Sequence, residues 1–199
     1  MIKKTLIIIG VITIAFLVYK GLKRVNFNSD YEVGQKIDSL NGVAVYYNGG
    51  VDNVVQRNTK DGYNLGLEYQ CVEFVKRYYF EYYNHKMPDS YGHAKSFYDK
   101  NFGDGEINTK RDLTQYSNPS GSKPRESDLI VMSGTILNTY GHVAIIAKVT
   151  DRKIEIIQQN PGPFSPSRET FELIKTKDDT WKINDDRVLG WLRKQSNEK

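Results

Sequence analysis

The sequence predicts an α+β domain behind an N-terminal apolar segment, and three observations carry that prediction. The stretch "CVEFVKRYYFEYYN", starting at residue 71, has the period of an amphipathic helix. Residues 128–132, 141–150 and 153–160 are short, apolar and rich in β-branched side chains, as strands are. The last two of these are separated only by Asp151-Arg152, so they pair as an antiparallel hairpin. A chain of 199 residues is long enough for one domain with a real core.

The N-terminal segment comes first. After "MIKK", residues 5–19 carry no charge, and Lys20 closes the run. A membrane-spanning helix takes about 20 apolar residues and the core of a signal peptide roughly 7 to 15, so the length suits either. No small-x-small cleavage motif follows in "LVYKGLKR", and Lys4 and Lys20 can reach outward and lengthen a span. A signal-anchor over residues 1–22 is therefore expected, with a cleaved signal and a buried core helix as alternatives. Lys3 and Lys4 on one side nearly balance Lys20, Lys23 and Arg24 on the other, so charge bias sets no firm orientation. The default for such a segment is a membrane-anchored protein with its domain outside the cytoplasm, or else a secreted one. The polar stretch 23–36 reads as a tether and 37–195 as the domain.

"NGVAVYYNGG" (41–50) alternates and ends in turn residues, which predicts a strand. "NVVQRNTKDGYNLG" shows no clean period and reads as loop. In the helix that follows, Cys71, Phe74, Val75, Tyr78, Tyr79 and Tyr82 share one face, with Glu73, Arg77 and Glu81 on the other. A second helix is expected near residues 92–100. In 141–150, His142 points with Ala144 and Ile146, opposite Val143, Ile145 and Ala147. In 153–160, Ile154, Ile156, Gln158 and Asn160 share one face, with Glu155, Ile157 and Gln159 on the other.

The chemistry turns on one thiol. The net charge of +4 is small and dispersed, which gives no nucleic-acid footprint. A single cysteine excludes an intramolecular disulfide and any multi-cysteine zinc site. His85 and His93 lack metal-ligand spacing, so neither a metal nor another cofactor is expected. Cys71 itself has two readings: the first residue of a packed stripe, or a nucleophile at a helix start, where unpaired N–H groups favour thiolate and lower its pKa. A histidine opening one strand, with amides at the end of its partner, supplies the base and the acceptor that thiol catalysis requires.

"YQCVEFVKRYY", "GHVAIIAKV", "IEIIQQN" and "VLGWLRK", in this order, resemble the CHAP family of cysteine- and histidine-dependent amidohydrolases and peptidases. Within it, the resemblance is to the amidase domain of glutathionylspermidine synthetase/amidase. It extends to "GVAVYYN" and "GSKPRESDLIVM", about Gly34 to Arg193. The resemblance implies a papain-like fold with Cys71 as nucleophile and His142 as base. The family's orienting carboxylate falls on Gln158, and the asparagine two residues on is Asn160. An amide at 158 can hold the imidazole tautomer but cannot neutralise an imidazolium, so His142 should lose pKa. Gln70 is a candidate oxyanion donor beside the Cys71 N–H. Lys76 stands where the synthetase-linked amidases carry arginine, and is a candidate for binding a substrate carboxylate. The implied reaction is amide hydrolysis through a thioester. The implied substrate is a peptidoglycan peptide or a glutathionyl-polyamine amide, and a wall-binding module with weakened catalysis is the non-enzymatic alternative.

Overall fold

The computed structural model describes residues 2–136 and 138–195. Helix α1, Ile2–Leu22, holds 21 residues and none of them is buried. At 1.5 Å per residue it is about 30 Å long, the thickness of a bilayer's hydrocarbon core, and it is apolar enough to cross one. The stretch expected as a tether lies against the domain. The Gly34 N–H donates to the Tyr47 carbonyl at 2.8 Å, the Tyr47 N–H to the Gln35 carbonyl at 2.9 Å, and the Asn28 side chain to the Pro163 carbonyl at 2.9 Å.

Strands β1 (Lys36–Leu40) and β2 (Val43–Tyr46) form a hairpin, as do β3 (Arg57–Lys60) and β4 (Tyr63–Leu67). The second hairpin corrects the loop expected there. Its turn is Asp61-Gly62, both at positive φ, which is the pair that a tight two-residue connection favours. Helix α2, Cys71–Tyr83, follows. The expected second helix is only a 3-10 turn, Ala94–Phe97.

Eight further strands form one sheet: β5 (Glu106–Asn108), β6 (Leu113–Ser117), β7 (Leu129–Met132), β8 (His142–Val149), β9 (Lys153–Ile157), β10 (Arg168–Lys175), β11 (Trp181–Ile183) and β12 (Val188–Arg193). Their order is β11-β10-β9-β8-β7-β12-β6-β5, and every pair is antiparallel. The sheet curls: Trp181 in edge strand β11 bridges Ser120, just beyond β6, with N–H···O distances of 2.7 and 3.0 Å.

Both faces of the sheet are covered, which is why its central strands are apolar at every position rather than at alternate ones. Leu129, Val131, Val143, Ile145 and Ile157 pack with Phe74, Val75, Tyr78 and Tyr79 of α2. Ile130, Met132, Ala144, Ile146, Ile154 and Ile156 pack on the other face, with Phe171, Leu173 and Trp191. The alternation of side chains along β8 and β9 follows the strand period, and it decides where each polar residue at their ends points. The architecture is α+β: a sheet-dominated domain with one packed helix and an apolar N-terminal helix.

Candidate active site

Cys71 is the first residue of α2, and Gln70 before it is extended, at φ −86° and ψ 157°. The start of α2 abuts the start of β8, so the thiol receives the backbone N–H of Val143 as well as those of Cys71 and Val72. The neighbouring His142 is brought in by Gly141. This residue sits at φ +78°, and a Cβ there would lie 2.5 Å from the Met132 carbonyl and 2.8 Å from Lys95 Cβ. Only glycine lets the chain turn this tightly into the strand.

The His142 Nε2–H donates to Gln158 Oε1 at 3.0 Å. A carbonyl oxygen only accepts, so Nε2 carries the proton and Nδ1 of the neutral ring is left as the basic nitrogen. Gln158 is oriented in turn. Its amide donates to the Pro166 carbonyl at 3.3 Å and to Glu169 Oε2 at 3.4 Å. Cys71, His142, Gln158 and Asn160 all line one cavity of about 1170 Å³.

Protonation in this site runs against the expectation for a helix start. Burial pushes the Cys71 thiol up to about 11, and its three backbone donors only partly oppose this. Burial also pulls the His142 imidazole down to about 4. The Gln158 bond works against this, and the Arg187 cation adds to it. Both side chains border the cavity and keep some contact with water, which tempers each shift. The direction is the same for both: at neutral pH the site rests as thiol and neutral imidazole, not as an ion pair.

Asn160, at φ +56°, has left the strand and turns away from His142. Its amide donates to the Val51 carbonyl at 2.9 Å and to Gln70 Oε1 at 2.7 Å. Gln70 borders the cavity beside Cys71, but its amide donates to the Val51 carbonyl at 3.3 Å and the Asn53 carbonyl at 2.7 Å. Its donors are thus held by a loop rather than aimed at an oxyanion, which leaves the Cys71 N–H as the donor at the helix start. Lys76 is corrected outright. It is 1% exposed and off the cavity wall, its ammonium donates to the carbonyls of Asn64 and Ser90, and it lies 4.7 Å over the Tyr63 ring. Burial brings its pKa down to about 8, and the nearby Arg111 and Arg57 add to this. It ties β4 to the 86–92 segment rather than facing the cavity.

One functional neighbour escaped the sequence reading. Gln159 is fully buried on the α2 side. It donates to the Gln70 carbonyl at 3.0 Å and to Glu73 Oε2 at 2.9 Å, and accepts from the Tyr46 N–H at 2.8 Å and from Arg77 Nη2 at 3.4 Å. Glu73 and Arg77, expected on the face away from the packing, form a buried ion pair at 2.6 Å. The strand period would have pointed Gln159 towards the helix. The helical wheel gave no sign of a partner for the pair.

The CHAP domain family matches residues 58–160, from β3 through Cys71 and His142 to Asn160. Trypanothione synthetase of Crithidia fasciculata is 30% identical over 146 residues, which is 69% of this chain and 22% of that one. The bifunctional glutathionylspermidine synthetase/amidase of Escherichia coli (strain K12) is 28% identical over 151 residues, 71% of this chain and 24% of that one. The chain thus spans about a quarter or less of the length of these curated relatives. The solved structure of Ly7917 with the hydrolysing product of MDP overlaps 38% of this chain and 30% of that one, at 23% identity and a TM-score of 0.27, too little to bear on fold or function. The family match takes in over half of the chain, so the chain belongs to the CHAP domain family, a family of amide-bond hydrolases.

Proposed function

We propose that this protein is a membrane-anchored cysteine amidase or endopeptidase in which Cys71 is the nucleophile, His142 the base and Gln158 the residue that fixes the imidazole. The observation that carries this reading is the 3.0 Å bond from His142 Nε2 to Gln158 Oε1, on the wall that also holds Cys71. A thiol at a helix start against an imidazole at a strand start, with an amide behind it, also supports a papain-like arrangement.

As Cys71 Sγ attacks the amide carbonyl, its proton passes to His142 Nδ1, a C–S bond forms and the oxygen takes up negative charge beside the Cys71 N–H. The imidazolium then gives its proton to the departing amine as the C–N bond breaks. Water, deprotonated by the same nitrogen, cleaves the thioester. The neutral resting pair suits this order, because the proton moves only when substrate is in place.

Helix α1 favours a substrate outside the cytoplasm, and peptidoglycan peptides are the first candidate. The similarity to a glutathionylspermidine synthetase/amidase favours the second, a glutathionyl-polyamine amide. Incubation of the full chain in detergent with muropeptides and, separately, with glutathionylspermidine decides between them by mass spectrometry. Peptide release from muropeptides supports the first candidate and spermidine release the second. In either case Cys71→Ala should release nothing while its melting temperature stays at the wild-type value.

A further inference from the structure

The cavity that holds Cys71 and His142 has a second wall, built by the end of α1. Tyr19, Lys20, Lys23 and Arg24 line it together with the catalytic candidates. The attachment is close. The Asp52 N–H donates to the Lys23 carbonyl at 3.0 Å, and the Asp52 carboxylate meets the Lys23 and Lys20 ammonium groups at 3.2 and 3.7 Å. A Cβ at Gly50 would lie 2.3 Å from the Lys23 carbonyl, so this contact has room only for glycine. The neighbouring carbonyls of Val51 and Asn53 are those that hold Gln70 and Asn160. One short loop therefore joins the end of the apolar helix to the residues flanking Cys71 and Gln158.

Two features of this wall say what it receives. The cavity is lined by five cations, Lys20, Lys23, Arg24, Arg57 and Arg187, against two carboxylates, Asp52 and Glu169. Asp52 serves both lysines, whereas the exposed Arg24 guanidinium has no ion-pair or hydrogen-bond partner among the described residues. Tyrosine and lysine at the end of a spanning helix sit at headgroup level, so a wall that includes Tyr19 and Lys20 places the cavity mouth at the membrane surface. The cavity also exceeds the roughly 300 to 1000 Å³ of ordinary small-ligand sites, which leaves room for a substrate that reaches from the thiol to this wall.

We propose that the basic end of α1 is a substrate-binding wall, at which Lys20, Lys23 and Arg24 hold an anionic oxygen group of an amide substrate while its scissile carbonyl lies at Cys71. This rests on Cys71 as the nucleophile. The anchor then does more than localise the enzyme: it restricts substrates to anionic amides presented beside the bilayer. The same cations could instead seat lipid phosphate, and the test separates the two sources.

The experiment uses the full chain in non-ionic detergent with two stem-peptide substrates that differ only in a free C-terminal carboxylate or a carboxamide. Wild type should prefer the carboxylate. Arg24→Gln should reduce that preference by about fivefold, the scale of one partly exposed charge contact, through KM with kcat unchanged. Arg24→Lys should retain it, and 0.5 M salt should narrow it in wild type. An unchanged preference in both Arg24→Gln and Lys20→Gln overturns the proposal. So does an Arg24 effect that shows only in vesicles of anionic lipid and never in the carboxylate preference, since the wall would then belong to headgroups. If wild type cleaves both peptides and only the preference fails to move, the amidase reading stands and this inference falls. If wild type cleaves neither, this inference falls, and the amidase reading is decided by spermidine release from glutathionylspermidine.

Discussion

Gln158 and Gln159 are adjacent, chemically identical and buried, yet the structure gives them different surroundings. Gln158 faces the cavity, holds His142 at 3.0 Å, and is itself held by two long contacts of 3.3 and 3.4 Å. Gln159 faces α2 and joins four groups, on β2, on α2 and on the residue before it, among them both members of the Glu73–Arg77 pair. The difference comes from the alternation that β9 sets and the chain keeps just past its end: one residue's step turns a side chain from the cavity to the underside of the helix. An active site at the ends of sheet strands thus separates chemistry from support by parity. Substitutions at the two positions should fail in different ways.

The largest effect is expected at Gln159. Truncation to alanine leaves Glu73, Arg77 and two backbone groups short of buried partners, and should cost about 3 kcal/mol of stability. Thermal melting of the full chain reads this, and the activity of whatever remains folded at low temperature should keep the wild-type pH dependence. A stable Gln159→Ala with an altered pH profile would invert the comparison.

At Gln158 the loss should fall on catalysis. Gln158→Ala should lower kcat/KM by about tenfold to a hundredfold with a stability change under about 1 kcal/mol, because the imidazole loses its orienter but no ion pair is exposed. Gln158→Glu sharpens the point. A carboxylate against Nε2 raises the imidazole pKa from its position near 4, and the acid limb of the rate profile should move up by about one pH unit. An acid limb that stays where it is in Gln158→Glu would mean that the 158 side chain does not act on His142.

His142 also makes an acid-stability prediction. Its pKa is about 4 in the folded chain against an ordinary 6.5. Above pH 6.5 the ring is neutral whether the chain is folded or not. Between pH 6.5 and 4 the unfolded chain binds a proton that the folded chain refuses, so stability falls as pH falls through that window. Allowing for the ring's contact with water, wild type should lose about 2 kcal/mol more than His142→Gln between pH 7 and pH 4. Equal losses in denaturant titrations at the two pH values would remove this cause.

The smallest effect is expected at Lys76. Its ammonium holds two carbonyls under the site, so Lys76→Met should change stability by about 1 kcal/mol and leave KM for a carboxylate-bearing peptide as it was. A KM raised severalfold would restore it to the substrate.

Much of this site was legible because its signals are periodic. The aromatic stripe of α2 and the alternation of β8 and β9 follow from spacing, and they place Cys71, His142 and Gln158 on elements that can meet. Strands β5, β6, β10 and β11 are short or partly polar, and no local pattern announces them. The β3–β4 hairpin has its signal in Asp61-Gly62, but its flanks "RNTK" and "YNLG" lack an alternating apolar face. Glu73 and Arg77 were misplaced because a helical wheel separates apolar from charged residues, but says nothing of a second layer packed on the charged side. Here β2, β4 and Gln159 just past β9 cover it. The thiol pKa was misjudged likewise, since the helix-start donors are visible in sequence and the burial that outweighs them is not.

The central claim is that His142 acts on Cys71, and alkylation of the thiol measures it without knowledge of the substrate. Cys71 is the only cysteine, so iodoacetamide uptake by the full chain reports one site. With a thiol pushed up to about 11, reaction at pH 7 depends on a base beside it. The rate should fall at least tenfold in His142→Ala, and less in Gln158→Ala, at unchanged melting temperatures. Equal rates in wild type and His142→Ala would contradict the account.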